Sequence, residues 1–261
     1  MDYKEAGRYW EENAEAWTIL SRAGYDTCRD YFNTPCFFKM LPSIQGLQGL
    51  DIGCGEGHNT RLAASKGAGL VAFDISKTFI KHAHEEEVRE PLGIIYLHSN
   101  ALSLPFRDSS FDFIMATMSL MDMPNQDIAF REAFRVLKGG GFLQFSITHP
   151  CFQTVGMRWI KDETGRKVAM ACGDYFFPPE EWIDEWTFGA APAELKERFP
   201  KFKTPYFRMT LSKWLNMLIG TGFVLEEFTE PYADDEVLKA HPEQYDTRVV
   251  AFFLIIRCRK P

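Results

Sequence analysis

Leu50-Asp51-Ile52-Gly53-Cys54-Gly55-Glu56-Gly57, followed after a short helical segment by Leu70-Val71-Ala72-Phe73-Asp74-Ile75-Ser76, reads as strand, glycine turn, helix and second strand. An acid sits near the end of each strand. Glycines at 53, 55 and 57 let the backbone turn sharply and leave no Cβ between the chain and a ligand. Asp74 ends its strand about twenty residues after the turn, where an acid in a βαβ unit accepts the hydrogen bonds of a ribose diol. A dinucleotide-type loop, G-x-G-x-x-G, needs glycine at 58, and His58 stands there. No Gly-Lys-Ser/Thr phosphate loop occurs. Asp51, two residues ahead of the first glycine, places a carboxylate beside the turn, which suits a ligand carrying an ammonium group better than a pyrophosphate. The competing reading is a plain glycine turn in an unrelated α/β protein.

Working outward, residues 3–41 show helical spacing with many aromatics, an amphipathic pair of helices packing on a sheet. Ser76 caps a helix with Phe79, Ile80 and Ala83 on its apolar face. His82 and His84, two apart on that helix, do not share a face and form no metal site. Further strands are expected at Ile94–His98, Phe111–Ala116, Phe142–Thr148, Phe223–Thr229 and Val249–Cys258, with helices before the fifth and sixth. Between 149 and 209 the periodicity is lost, while Trp159, Tyr175, Phe176, Phe177, Trp182, Trp186, Phe188 and Phe202 accumulate. So long an irregular stretch inside a domain is usually functional, and its apolar content is too high for a disordered linker.

Composition narrows the classes. The chain has 261 residues, 46% of them hydrophobic, and a net charge of −7 from 29 basic and 36 acidic side chains. That balance argues against a surface that tracks nucleic-acid phosphates. No apolar run reaches transmembrane length, and Met1-Asp2-Tyr3-Lys4-Glu5 is not a signal peptide. The six cysteines form no Cys-x-x-Cys pair and read as reduced thiols of a cytoplasmic protein.

Acid-x-Gly-x-Gly-x-Gly followed by a strand-terminal Asp resembles motif I and the acid after it in class I S-adenosylmethionine-dependent methyltransferases. Asn100-Ala101 ahead of Leu104-Pro105-Phe106, and Arg135-Val136-Leu137-Lys138-Gly139-Gly140-Gly141, are similar to later segments of the small-molecule methyltransferases related to quinone biosynthesis. The family usually has Asp where Asn100 stands. The resemblance covers 45–148 by motif and 210–258 by pattern. It implies a Rossmann-like α/β fold, a doubly wound seven-stranded mostly parallel sheet in one domain. Within it, 1–44 is a helical lid, 45–148 the cofactor half, 149–209 an inserted substrate cap, and 210–261 a helix and closing strand hairpin.

For the cofactor, S-adenosylmethionine, the resemblance implies contacts from Asp51, Gly53, Cys54, Gly55, Gly57, Asp74, Ile75, Asn100, Ala101, Thr117 and Met118. Arg29 on the lid would pair with the methionyl carboxylate. His149, after the fifth strand at the crevice end, is the candidate general base; the alternative is a turn whose imidazole bonds to backbone. The expected reaction is in-line methyl transfer to a small, partly apolar acceptor, leaving S-adenosylhomocysteine. The other classes weighed are an NAD(P)-dependent oxidoreductase, a nucleic-acid (RNA) or protein methyltransferase, and a non-catalytic binding protein. The first lacks its glycine and a Tyr-x-x-x-Lys relay, and Ala116-Thr117-Met118-Ser119 lacks the Pro-Pro-aromatic grip of many nucleic-acid enzymes. A homodimer interface is the second explanation for the aromatic stretch.

Overall fold

Six parallel strands and one antiparallel strand set the architecture. The computed structural model describes residues 1–176 and 182–261; Phe177, counted above with the cap aromatics, lies outside them. β1 (Gln48–Ile52), β2 (Gly69–Asp74) and β3 (Ile95–His98) run parallel to one side, and β4 (Phe111–Thr117) and β5 (Leu137–Thr148) to the other. β10 (Val224–Thr229) and β11 (Phe253–Arg259) complete the order β10-β11-β5-β4-β1-β2-β3, with β11 antiparallel to both neighbours. Chain direction along the sheet reverses between β1 and β4. Ligands of open α/β sheets bind outside the carboxyl ends of the strands at such a switch point.

The central strands are buried on both faces, as their unbroken apolar runs dictate: Phe113, Ile114, Met115 and Ala116 of β4 are all fully enclosed. Helices α3 (His58–Ser65), α4 (Lys77–Arg89), α5 (Gln126–Val136) and α7 (Leu211–Thr221) cover the faces. Ser76 accepts the Phe79 amide at 3.1 Å and Thr210 the Lys213 amide at 3.2 Å, satisfying helix N-termini in α4 and α7. The last two strands are not joined by a simple hairpin: α8 (Asp235–Ala240) and a 3-10 segment (Pro242–Arg248) intervene.

The N-terminal segment read as a lid holds α1 (Tyr3–Arg22), a single wide helical turn over Arg29–Asn33, and α2 (Thr34–Met40). The stretch read as irregular holds two antiparallel hairpins, β6 (Arg158–Lys161) with β7 (Lys167–Ala171), and β8 (Trp182–Trp186) with β9 (Phe202–Tyr206), the latter pair spanning a short helix α6 (Ala193–Arg198). Ala16 and Leu20 of α1 share a buried cluster with Phe188, Ala191 and Phe202, so lid and cap have a common core.

Gly49 shows how tightly side chains of adjacent strands pack over the middle of the sheet. A Cβ there would fall 2.2 Å from the Phe113 ring and 2.7 Å from Leu70. Gly49→Ala is expected to lose about 1–3 kcal/mol by overpacking, read as a lowered urea midpoint with an unchanged slope.

Candidate functional site

The glycine loop and Asp74 form one hydrogen-bonded unit. Asp74 is buried at the end of β2, and its two carboxylate oxygens accept the Gly55 amide at 2.9 Å and the Ser76 amide at 2.8 Å. Burial raises its pKa to about 6, against the pull of those amides. Each oxygen keeps a lone pair for a further donor. Gly55 has φ +56°, and the space where its Cβ would stand is open. Gly53, at φ +71°, is different: a Cβ there would lie 2.5 Å from Ser119. One glycine is required by close packing and the other leaves a cradle.

That cradle opens into a cavity of about 680 Å³ running across the carboxyl ends of the sheet. Such a volume lies within the ~300–1,000 Å³ of small-molecule sites. Strand order distributes its wall. Asp74, Ile75, Asn100 and Ala101 stand at the β2–β3 end; Gly53, Cys54, Gly55, Thr117 and Met118 in the centre; Thr148 and the cap at the β5 end. Met118 holds φ +54° and donates its amide to the Ser146 carbonyl at 3.0 Å. Left-handed backbone in a residue with a long side chain is strained, and such strain clusters at ligand sites.

Nine of the sequence-derived cofactor residues therefore meet on one wall, and Arg29 joins them from the lid. Its guanidinium is already engaged by Asp30 at 2.7 Å, the Ser21 carbonyl at 3.1 Å and Glu56 at 3.5 Å. Asn100 also differs in detail from expectation. Its carbonyl oxygen accepts the Leu102 amide at 3.0 Å, so one of the two lone pairs expected to face an adenine is already in use.

Three expected residues stand outside the cavity. Asp51 is fully buried behind the loop, where Oδ2 accepts the Thr60 hydroxyl at 2.6 Å and Oδ1 has no partner among the described residues. Strand alternation turns it toward α3, so it braces the turn instead of touching a ligand. Gly57, at φ +90°, precedes α3, and a Cβ there would lie 2.5 Å from the Tyr96 hydroxyl; it serves packing. His149 is 3% exposed and off the cavity wall. Its Nδ1 accepts the Cys151 amide at 3.2 Å and its Nε2 pairs with Glu230 at 2.9 Å. Burial lowers its pKa although Glu230 opposes this. The backbone-bonded turn is the observed role, and His149 is withdrawn as the base.

Several wall residues were not anticipated. Asn59 at the start of α3 donates to Thr117 at 2.9 Å and accepts from Thr34 at 3.0 Å, linking lid, loop and β4. Asp26, Asp122, Asp184 and Arg208 also face the cavity. Asp122 lies in the methionine-rich stretch, whose apolar neighbours gave no signal for a buried acid.

Residues 50–145 match the family model described as Methyltransferase domain. Demethylmenaquinone methyltransferase of Staphylococcus aureus (strain MRSA252) is 28% identical over 167 residues, covering 59% of this chain and 66% of that protein. 27-O-demethylrifamycin SV methyltransferase of Amycolatopsis mediterranei (strain S699) is 34% identical over 107 residues, 40% of this chain and 39% of that one. The chain thus spans just under two thirds of the first relative's length and about two fifths of the second's. The crystal structure of an S-adenosylmethionine dependent methyltransferase from Mesorhizobium loti superposes with a TM-score of 0.70 at 26% identity, over 86% of this chain and 96% of that one.

The sealed position of Asp51 has a thermodynamic signature. Burial holds its pKa at about 7, well above an unfolded carboxyl. The folded state thus keeps this proton to higher pH than the unfolded one. The stability this contributes is complete below pH ~4 and lost as pH rises through about 7. Asp51→Asn should flatten that fall, gaining on the parent by up to about 1.4 kcal/mol per pH unit across the window. Urea titrations at several pH values read it; parallel pH profiles for the two proteins would count against it.

Proposed function

With the fold and cofactor half of a class I S-adenosylmethionine-dependent methyltransferase as premise, we propose that the chain methylates a small, partly apolar molecule and releases S-adenosylhomocysteine. The observation that carries the reading is the Gly55–Asp74 unit, whose open cradle and remaining carboxylate lone pairs face one end of a long cavity. When bound, the cofactor supplies an electrophilic methyl on a sulfonium. The chain supplies position and dryness. Asp74 takes the ribose hydroxyls, the backbone at Gly53 and Gly55 lies against the amino-acid portion, and Asn100 with Ala101 edges the adenine. Arg29 and its acidic partners lie over the methionyl end. His58, opening α3 where a dinucleotide loop has glycine, disfavours the NAD(P) alternative.

The acceptor occupies the β5 end under the cap. Two features support a small, partly apolar one. Met121, Trp186 and Phe188 give that end an apolar lining, and the two relatives are named for demethylmenaquinone and 27-O-demethylrifamycin SV. With the methyl already activated, alignment of acceptor and methyl and exclusion of water carry most of the catalysis.

Asp74→Ala is expected to weaken S-adenosylhomocysteine by about 1.5–3 kcal/mol, the scale of hydrogen bonds to a charged group. Calorimetry giving equal affinities in variant and parent would sink the assignment. The cap and its rival, a homodimer face, separate in limited proteolysis. A cap gains protection from cofactor and acceptor analogues at protein concentrations too low for assembly, because closure orders it. Protection that follows protein concentration and ignores ligand would make the same stretch an interface between two copies.

A further inference from the structure

Asp122 is 7% exposed, ends the 3-10 turn Leu120–Asp122 that follows β4, and faces the cavity. Its side chain has neither a hydrogen bond nor an ion pair among the described residues. The buried Nε of Arg208 likewise has no hydrogen-bond partner among the described residues. Tyr206 on β9 exchanges a hydrogen bond with Thr148 at the end of β5. Arg208 lies over the Tyr206 ring at 4.6 Å, donates to the Gln153 carbonyl and stands 3.8 Å from Asp184 on β8. Asp122, Asp184, Tyr206 and Arg208 all line the cavity, and Arg208 touches both Tyr206 and Asp184. An unpartnered carboxyl in dry surroundings is costly unless a guest supplies the missing donor.

We propose that Asp122 is the residue that holds the methyl acceptor, accepting the hydrogen bond of a hydroxyl carried on an aromatic or similarly flat apolar body, and that it takes up that hydroxyl's proton during transfer. This rests on the methyltransferase reading. The acceptor's O–H bond breaks, its proton passes to an Asp122 carboxylate oxygen, and the electron pair left on oxygen forms the new bond to the methyl carbon. The C–S bonding pair leaves with the sulfur of the thioether product, and the proton later passes to solvent. Two features of the site favour this role. The charges facing Asp122 from the cap are Asp184 and, beyond it, Arg208; burial first, and then Asp184, hold its carboxyl well above the ordinary range. Once ionised, such a carboxylate is a stronger base than a surface one, so the proton transfer it assists is favoured as pH rises. The surroundings also select. Beside the Met121, Trp186 and Phe188 side chains, a neutral hydroxyl on an apolar ring is desolvated at little cost, whereas a charged or sugar-like acceptor is not.

The test uses 2-naphthol and its donor-free ether 2-methoxynaphthalene as probes, titrated by calorimetry into protein saturated with S-adenosylhomocysteine. The parent's preference for 2-naphthol over the ether should grow as pH rises and Asp122 ionises, reaching about tenfold, the worth of one buried hydrogen bond to a charged acceptor. Asp122→Asn should lose most of that preference, retain S-adenosylhomocysteine affinity and melting temperature, and methylate 2-naphthol at least a hundredfold more slowly with labelled S-adenosylmethionine. A parent without preference for the naphthol, or a variant that keeps the parent's preference, would overturn the assignment; the first result needs no variant to fold. Failure of the parent to bind S-adenosylhomocysteine would instead remove the methyltransferase reading beneath it.

Discussion

The carboxylate of Asp74 is the constraint on which the site depends. Buried at the end of β2, it is tolerable because two backbone amides, from the turn after β1 and from its own succeeding turn, point at its oxygens. Those bonds fix the glycine loop against the strand and set where α4 begins. Ser76, placed by the second bond, caps α4 through Phe79 and donates to Glu11 of the lid at 2.6 Å. A single chain of contacts thus runs from loop to strand to helix to lid. Loss of the acid would loosen the loop's shape as well as remove an acceptor.

Helix α1 carries the same logic from the cofactor half to the cap. At its start Gly7 approaches Ile75 so closely that a Cβ would lie 2.8 Å from the isoleucine side chain. Farther along, Asn13 exchanges two hydrogen bonds with the Lys203 backbone of β9, at 2.9 and 3.0 Å. Trp17 then packs edge-on against Trp186 and Phe188, with ring centroids 5.4 and 5.0 Å away. One face of the helix therefore reads the cofactor strand and another reads the cap.

The glycine turn, the strand ending at Asp74 and the central strands were legible in the sequence because they rest on local requirements: positive φ at 53 and 55, and unbroken apolar runs in doubly covered strands. The misread residues depend on contacts distant in sequence. Strand alternation says that Asp51 and its neighbours face opposite ways, but which side holds the cavity is decided by where α3 and Thr60 pack. His149 is defined by Glu230, 81 residues away. The cap hairpin pairs Trp182 with Tyr206 across an intervening helix, so no short turn announced it. Asp122 was hidden by company, since Met118, Met121 and Met123 surround it in a mostly apolar loop. Its significance comes from lacking a partner, a property that only three-dimensional packing defines.

The charge balance of the cavity wall follows from these placements and bears on turnover. Its two guanidiniums are already answered, Arg29 by Asp30 and Glu56, and Arg208 by the nearby Asp184. Asp26, Asp74 and Asp122 are all held above the usual carboxylate range by burial. The dry wall therefore carries carboxyls that gain from a nearby positive charge, and little solvent screens that gain. Under the proposed reaction the reactant brings a sulfonium, whereas the product is a neutral thioether. The attraction that favours the loaded state is cancelled by the transfer itself, so the burial that makes these acids costly in the free protein also favours product departure. This links the fold's least comfortable feature, acids enclosed beneath a lid, to both ends of the catalytic cycle.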